Sequence, residues 1–331
     1  MQIGSVTIPN RVFLAPMSGV TDLPMRELAL RHGAGLVVAE MVPGAELAKG
    51  KPESRRRIRR AQNAVHMVQL AGREPGLLAE GARVAAGEGA DIIDINMGCP
   101  AKKVTGGYCG SALMRDPDLA SRLINAVIEA VDVPVTVKMR LGWDENNLNA
   151  PEIASRAQSL GARMITVHGR TRSQFYKGSA NWAAIADIKS AIDVPLVVNG
   201  DISCLNSAKS ALSASGADAV MVGRAHYGAP WAAGTIALEA NDGNHGEMPS
   251  ESELAGYVAA HYKAMLSLYG CERGVRHARK HLGWYMDRHL GVIEPETRSR
   301  MMTATDHNLV LSLIRKTFSV IPGYKPFRRA A

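Results

Sequence analysis

The stretch VPLVVNGDISCLNSAKSALSASGADAVMVG, residues 194–223, decides the fold. It begins with an apolar, β-branched run and continues through a segment with helical periodicity that ends in glycine. It closes with a second apolar run. A strand, a helix and a strand in this order form a parallel unit whose strands are buried on both faces. The N-terminal part of the chain repeats the same unit.

Eight apolar runs alternate with helical segments over roughly 230 residues, which fits a TIM (β/α)8 barrel. We predict this barrel over residues 1–242, with a small hairpin at its start that closes the bottom. A polar linker at 240–253 leads into helical patterns, so we predict a small all-helical domain over 243–331. The eight predicted strands are 12–17, 35–41, 65–70, 91–96, 133–140, 163–169, 194–200 and 218–223.

Composition limits the class of protein. The 331 residues are 46% hydrophobic, but no run reaches the roughly 20 apolar residues that cross a bilayer. The N-terminal segment lacks the character of a signal peptide, and the four cysteines form no CxxC pair. We therefore predict a cytoplasmic protein with no membrane association and no metal site.

The formal net charge of +8 and the sequence pI of about 9.4 predict a positive field that attracts polyanions. Basic residues concentrate at 51–60 and at 271–290. For each cluster the ordinary interpretation is a solvated helix face, and the alternative is contact with RNA.

Polar residues interrupt the apolar pattern where the predicted strands end. A single such residue is usually a cap or a loop residue. Because active sites of TIM barrels gather at the carboxyl ends of the strands, a convergence of many favours a functional site. The residues are Met17, Ser18, Glu40, Gln69, Asn96, Lys138, Arg140, His168, Arg170, Asn199, Gly223 and Arg224.

The last two strand ends predict a phosphate site. Glycine-containing loops after strands seven and eight present backbone N–H groups, and here they carry Gly200, Gly223 and Arg224. Lys138, at the end of strand five, is suited to stabilise negative charge on a reduced ring system. Its alternative role is an ion pair with Glu40 or Asp94.

Cys99 lies in the loop that leaves strand four, in DINMGCP at 94–100. A cysteine is most often a buried, inert small hydrophobe, but this loop lies over the predicted barrel mouth. A nucleophile there needs an activating base, and no histidine adjoins it in the sequence. An acid needs only a protonated thiol near neutral pH, so we favour a general acid.

Several motifs together resemble the tRNA-dihydrouridine synthase family, in particular its bacterial B-type branch. The resemblance keeps motif order and spacing from about residue 3 to about residue 320. The motifs are APMSGVTD, VQLAG, DINMGCPAKKV, GSALM, TVKMRLGW, VHGRTRSQFYKGSANW, VNGDI, VMVGRA and RKHLGWY.

The resemblance implies bound FMN at the barrel mouth and reduction of a D-loop uridine of tRNA, U17 in this branch, with NADPH as electron donor. Flavin N5 then passes a hydride to C6 of the uracil, and Cys99 protonates C5. Asn96 and Arg140 match residues at the uracil, and Arg170 and Arg172 lie in a segment assigned to the substrate, with Gln174 and Tyr176. The positions that match FMN contacts are Pro16, Met17, Gln69, Lys138, His168, Asn199, Gly200, Asp201, Gly223 and Arg224.

The predicted helical domain suits RNA, because a base must leave its stack to reach a flavin and the RNA must be held meanwhile. Trp284 and Tyr285 could stack on a base, although their spacing favours core positions. Cys109, ten residues past Cys99, leaves open whether a second thiol approaches it. The basic residues suited to phosphate contacts are Arg273, Arg276, Arg279, Lys280 and Arg288.

Two other functions fit parts of this pattern. A TIM-barrel FMN oxidoreductase acting on a small pyrimidine, as dihydroorotate dehydrogenases do, has no need of a basic helical appendage. A non-catalytic RNA-binding or regulatory protein predicts lost cofactor contacts, whereas Cys99, Lys138 and His168 are kept. We predict tRNA as the partner of a monomeric enzyme.

Overall fold

A computed structural model describes residues 1–61, 64–242 and 248–319, with only the backbone described at residue 242. Short parallel strands form one curled sheet, and a two-stranded antiparallel hairpin precedes it. The strands are β1 (Gln2–Ile3), β2 (Val6–Thr7), β3 (Val12–Leu14), β4 (Leu36–Val37), β5 (Val42–Pro43), β6 (Met67–Ala71), β7 (Ile92–Met97), β8 (Val135–Arg140), β9 (Ile165–His168), β10 (Leu196–Asn199) and β11 (Ala219–Val222).

The sheet closes into the predicted barrel. Within the described residues its order is β4-β3-β11-β10-β9-β8-β7-β6-β5, and all pairs in it are parallel. A bridge between Val38 and Met67, with Ala39 N donating to Met67 O at 2.9 Å, joins the β4 end to β6. The predicted second strand, 35–41, is therefore only partly correct, because β4 lies in its first half and β5 begins just past its end, across a gap that holds Glu40. At this gap Glu40 Oε2 accepts a bond from Gly19 N at 2.8 Å.

Helices cover the outside of the barrel and continue past it. No helix in the described parts of the chain is long and apolar enough to cross a membrane. The helices are α1 (Leu23–Arg31), α2 (Gly44–Ala48), α3 (Pro52–Arg57), α4 (Pro75–Gly87), α5 (Lys102–Thr105), α6 (Pro117–Ile128), α7 (Ala150–Leu160), α8 (Ala186–Ala191), α9 (Leu205–Ser215), α10 (Ala232–Asp242), α11 (Glu251–Tyr269), α12 (Cys271–His289), α13 (Pro295–Thr303) and α14 (His307–Phe318).

Successive side chains along each strand point alternately to two hydrophobic clusters, one outside the sheet and one inside the barrel. On β7, Ile93, Ile95 and Met97 pack outward among the helices, whereas Ile92 belongs to the interior cluster. The hairpin seals the lower end of that interior, where Ile3 is fully buried, which confirms the predicted closure of the bottom. Towards the carboxyl ends of the strands the inward positions become polar.

The C-terminal helices α11–α14 have a hydrophobic core of their own, which also takes in Trp231 from the end of the barrel. Trp231 is 2% exposed and lies against Tyr257 and His289, with ring centroids 5.5 Å and 5.6 Å away. Tyr285 is also buried in this core, as its spacing favours. The predicted boundary between 242 and 243 adjoins residues 243–247, which lie outside the described residues, as does the basic segment at 324–329.

Candidate active site

Six polar side chains line the inner wall of the barrel near the carboxyl ends of neighbouring strands, and we call them the inner ring. All six are at most 9% exposed. Strand register brings them together, because Asn96 pairs with Lys138 across β7 and β8, and His168 pairs with Asn199 across β9 and β10. The inner ring consists of Gln69, Asp94, Asn96, Lys138, His168 and Asn199.

A directed chain of hydrogen bonds runs from Asp94 to the backbone of Cys99. Gln69 Nε2 donates to Asp94 Oδ2 at 2.7 Å, and Asn96 Nδ2 donates to Gln69 Oε1 at 2.7 Å. Asn96 Oδ1 in turn accepts from Cys99 N at 2.9 Å. Burial raises the pKa of Asp94, while the hydrogen bonds from Gln69 and Thr136 and the charge of Lys138 oppose this rise. In its ionised form the carboxylate only accepts, so it sets the orientation of the Gln69 amide and, through it, of Asn96. Asp94 thereby holds the loop that carries the cysteine.

Cys99 itself is half-buried at the start of a tightly folded loop. Ser111 holds this loop by donating from both N and Oγ to Cys99 O, at 3.1 Å and 2.9 Å. The backbone turns back at Gly110, whose φ is +60° and where an added Cβ would lie 3.1 Å from Cys99 Cβ. Cys109 lies in the same loop, with Sγ donating to Gly107 O at 3.3 Å.

Lys138 is the basic centre of the inner ring. Its ammonium donates to Asn199 Oδ1 at 3.0 Å. Burial lowers the pKa of Lys138 to about 8, against the opposing attraction of Asp94. Of the two carboxylates considered as its partner, Asp94 is therefore the one that acts on it. The lysine still carries charge at neutral pH.

His168 is neutral in this setting. Burial lowers its pKa well below the usual value, and the neighbouring charges of Arg140, Lys138 and Arg170 lower it further. Arg170 Nη1 lies 3.4 Å from His168 Nε2. A neutral imidazole accepts at one nitrogen and donates at the other, so this contact fixes which nitrogen carries the proton.

The predicted phosphate end is organised by one carboxylate. Asp201 accepts from Arg170 at 2.5 Å and 3.1 Å and from Arg224 at 2.9 Å. Although burial opposes ionisation, the hydrogen bond from Arg170 holds the pKa of Asp201 below its usual range. Gly200 precedes it with φ +119°, and an added Cβ there would lie 2.7 Å from His168 Cδ2. Only glycine allows this close approach.

Arg140 and Arg170 are tied to the protein itself. Arg140 donates to the carbonyl oxygens of Gly98, Thr171 and Phe175, at 2.8 Å, 2.9 Å and 2.9 Å. Burial lowers the pKa of Arg140 to about 10, so it stays charged. Arg170 is 1% exposed, and besides Asp201 and His168 it donates to two further backbone carbonyls, of Lys177 and Gly178.

Two aromatic side chains lie across the opening of the mouth. Tyr176 is 47% exposed, with Arg140 Cζ 5.5 Å and Arg224 Cζ 5.2 Å from its ring centroid. Tyr227, beyond β11, stacks on Trp284 of α12, with centroids 3.8 Å apart. Trp284 thus joins the helical region to the barrel mouth.

Met17 and Gly223 are brought together at the ends of β3 and β11. An added Cβ on Gly223 would lie 3.8 Å from Met17 Sδ. Met17 N donates to Thr21 Oγ1 at 2.9 Å, which fixes the turn after β3, and Pro16 beside it is half-buried.

The basic residues of α12 have mixed surroundings. Arg276 pairs with Glu272 at 3.0 Å on the exposed surface, and Arg279 donates to Thr303 O at 2.9 Å. Arg288 donates to Ala225 O at 3.2 Å, in the loop after β11. Lys280 is half-buried, and an added Cβ on Gly19 would lie 2.8 Å from its Nζ. Arg273 is exposed.

The cluster at 51–60 behaves mainly as a paired helix face. Arg56 and Arg57 pair with Glu53 one turn earlier on α3, and Arg55 pairs with Glu88 at 3.0 Å. This is the ordinary interpretation of that cluster.

Sequence reasoning passed over Asp94 as a member of the site, except as a partner for Lys138. The signal was present, because Asp94 precedes Asn96 by two residues and therefore faces the same side of β7. Arg115 and Trp143, which meet Arg172 at the rim of the mouth, were also missed, because the three residues lie on separate loops.

A parallel barrel, eight-stranded when β4 and β5 count as one, with buried polar side chains and a cysteine at its mouth defines the class of α/β-barrel enzymes. Comparison with known proteins narrows it. The family model described as Dihydrouridine synthase (Dus) matches residues 13–318. The chain therefore belongs to the dihydrouridine synthase family.

Individual relatives agree. A probable tRNA-dihydrouridine synthase of Rhizobium leguminosarum bv. phaseoli is 54% identical over 301 residues, covering 91% of this chain and 93% of the relative. One of Rhodobacter capsulatus is 52% identical, covering 96% and 98%. A tRNA-dihydrouridine synthase B of Xanthomonas campestris pv. campestris is 46% identical over the whole of both chains.

Among solved structures, a morphinone reductase variant in complex with tetrahydroNAD aligns with a TM-score of 0.51 at 17% identity. The alignment covers 76% of this chain and 92% of that one. At this identity the likeness concerns the fold alone.

Proposed function

We propose that the protein is a tRNA-dihydrouridine synthase that reduces U17 of the tRNA D-loop to 5,6-dihydrouridine, with bound FMN and with NADPH as electron donor. Family membership and the names of the relatives support the reaction. The observation that carries the proposal is the position of Cys99, which the Asp94–Gln69–Asn96 chain holds at the rim of a mouth containing the charged Lys138.

The donors of the mouth fit FMN. The Lys138 ammonium group donates one hydrogen bond to Asn199, its acceptor among the described residues. Its other N–H donors can bind a ring system that becomes anionic on reduction. Gly223 leaves room beside Met17, and the exposed Arg224 suits a phosphate. The residues that would hold FMN are Pro16, Met17, Gln69, Lys138, His168, Asn199, Gly200, Asp201, Gly223 and Arg224.

When bound, FMN supplies the hydride that reaches C6 of the uracil from N5. The Cys99 thiol delivers the proton to C5. The Asn96 amide donates one hydrogen bond to Gln69, and its second N–H would donate to a carbonyl of the base. Arg140 faces the same base, and its Nε fixes Gly98 beside the cysteine.

Arg170 and Arg172 belong to the segment assigned to the substrate. Because the donors of Arg170 are occupied by Asp201, His168 and two carbonyls, we assign it a positioning role for the loop 170–181. Arg172 is half-buried and keeps a place on the RNA side. Cytoplasmic location and a monomeric state stay predictions.

The test is the dihydrouridine content of tRNA, mapped position by position, in cells lacking this gene. We expect dihydrouridine to be lost at position 17 and restored by the intact gene, but not by a copy carrying Cys99→Ala. Loss at another D-loop position corrects the target, and no loss at all overturns the proposal. The last result would favour a flavoenzyme acting on a small pyrimidine.

A further inference from the structure

Two arginines converge on one tryptophan at the rim of the mouth. Arg115 Cζ lies 4.1 Å and Arg172 Cζ 4.6 Å from the centroid of the Trp143 ring. The three residues come from the segments that follow β7, β9 and β8, and we call them the arginine–tryptophan cluster. Main-chain hydrogen bonds join the loops that follow β8 and β9. Arg172 N donates to Gly142 O at 3.0 Å, and Ser173 N donates to Trp143 O at 2.9 Å.

The positive charge of this cluster is not neutralised within the described residues. Neither guanidinium makes an ion pair or a side-chain hydrogen bond there, and Arg172 Nε is buried without an acceptor. Elsewhere on the barrel the usual arrangement differs, as at Arg156, which binds Asp118 at 2.7 Å and Glu152 at 2.6 Å. Holding two like charges together without a carboxylate costs free energy, which an anion would offset.

The cluster also carries open aromatic and basic surface. Tyr108 is 59% exposed, and its ring centroid lies 5.8 Å from Arg115 Cζ. Lys102 and Lys103 project from the same loop and are exposed. Guanidinium groups and aromatic faces side by side are the combination that holds phosphates and stacks bases of single-stranded nucleic acid.

Position in the barrel adds a geometric argument. Counting β4 and β5 as one, β3 is the first strand and β8 the fifth of eight, so their ends lie across the mouth from each other. The helical region covers the β3 and β11 side, through Lys280 beside Gly19 and Arg288 on Ala225 O. Trp143 follows β8 and therefore lies on the opposite rim.

We propose that the arginine–tryptophan cluster binds the RNA strand on the far rim, with a phosphate at the guanidinium groups and an unpaired base next to the target stacked on the exposed Tyr108 ring. The inference rests on the proposed function, because it takes the mouth to receive a nucleotide of tRNA. The helical region and the arginine–tryptophan cluster then hold the RNA strand on the two sides of the reacting base. A small pyrimidine would reach neither surface.

The test measures binding of an unmodified tRNA transcript to the full-length FMN-loaded enzyme at several salt concentrations. Tyr108→Leu should weaken binding about tenfold, the scale of one base–aromatic stack. Arg115→Gln with Arg172→Gln should weaken it and reduce the slope of log K against log salt by about 0.7, the value for losing one phosphate contact on a single strand. The control is Arg122→Gln with Lys209→Gln, at two exposed residues on α6 and α9, which removes the same charge and should bind as wild type does.

A second measurement follows the reduction of the flavin by NADPH without tRNA, which should be unchanged in every variant. Slowed reduction with unchanged tRNA affinity would assign the cluster to the dinucleotide and overturn the inference. Equal tRNA affinity in all variants, with circular dichroism spectra that match wild type, would make the cluster structural and overturn it too. If the wild type itself neither binds nor reduces tRNA, the proposed function fails first, so the two failures are distinguishable.

Discussion

The inner ring and the basic face of α12 are both rich in polar groups, yet they use them differently. In the inner ring, side chains bond to side chains, so each residue sets the orientation of the next, as Asp94 does for Gln69 and Gln69 for Asn96. On α12, Arg279 and Arg288 donate to backbone carbonyls, and Arg276 pairs with its own helix. The ring is therefore sensitive to the identity of each residue, whereas the α12 face depends on charge and on packing.

The largest effect on the rate of tRNA reduction should come from a substitution of Cys99, which the inner ring positions. Cys99→Ala should slow tRNA reduction in a single turnover by a hundredfold to ten-thousandfold, roughly the contribution of a general acid. Binding of tRNA should be unchanged. Cys109→Ala, in the same loop, is the matched control and should keep the wild-type rate. Full activity of the Cys99→Ala enzyme would show that Cys99 is not the general acid.

A change inside the ring should come next. The Asp94 carboxylate accepts hydrogen bonds from Gln69 and Thr136. In Asp94→Asn, the amide NH2 group faces one of these donors, so one bond is lost. We expect a loss of about 1–3 kcal/mol in the free energy of unfolding, together with slower reduction as the Asn96–Cys99 contact loosens. Denaturant unfolding and single-turnover rates measure the two effects.

Thr136→Val is the control for Asp94→Asn, since it removes one bond to the same carboxylate and leaves the Gln69 orientation intact. It should lower stability but keep the rate. If both variants slow the reaction equally, the directed chain is not what positions Cys99.

The smallest effects should separate two arginines of α12. Arg279→Gln should lower the free energy of unfolding by about 1 kcal/mol, because the guanidinium holds the end of α13 at Thr303. Arg276→Gln should change stability by less than about 0.5 kcal/mol, as exposed pairs do, but should lower the affinity for tRNA. Thermal unfolding and tRNA binding in parallel check both. Equal behaviour of the two variants would contradict the division between framework and RNA-facing charges.

Much of the fold follows from local pattern. Apolar runs followed by turn residues located the strands, and the polar residues at their ends located the inner ring. The break between β4 and β5 was not predictable, because 35–41 has a continuous apolar pattern until Glu40. The Glu40 side chain accepts a bond from Gly19, a contact between distant positions that no local pattern records.

The site was less predictable in its bonding than in its composition. Arg170 looks like a substrate contact in sequence, but its partners include carbonyl oxygens, which any residue supplies and no motif records. The arginine–tryptophan cluster depends on three loops meeting, so periodicity and spacing carry no signal of it. Only the arrangement of loops in three dimensions shows it.

Trp231 has a consequence for how the chain can be divided. It stands at the start of α10, within the predicted barrel, but its indole is 2% exposed and packs against residues of α11 and α12. A barrel truncated after residue 242 would carry an uncovered indole and would lose the stacking partner of Tyr227. The two parts share a hydrophobic seam, so an isolated barrel would be aggregation-prone rather than a minimal enzyme.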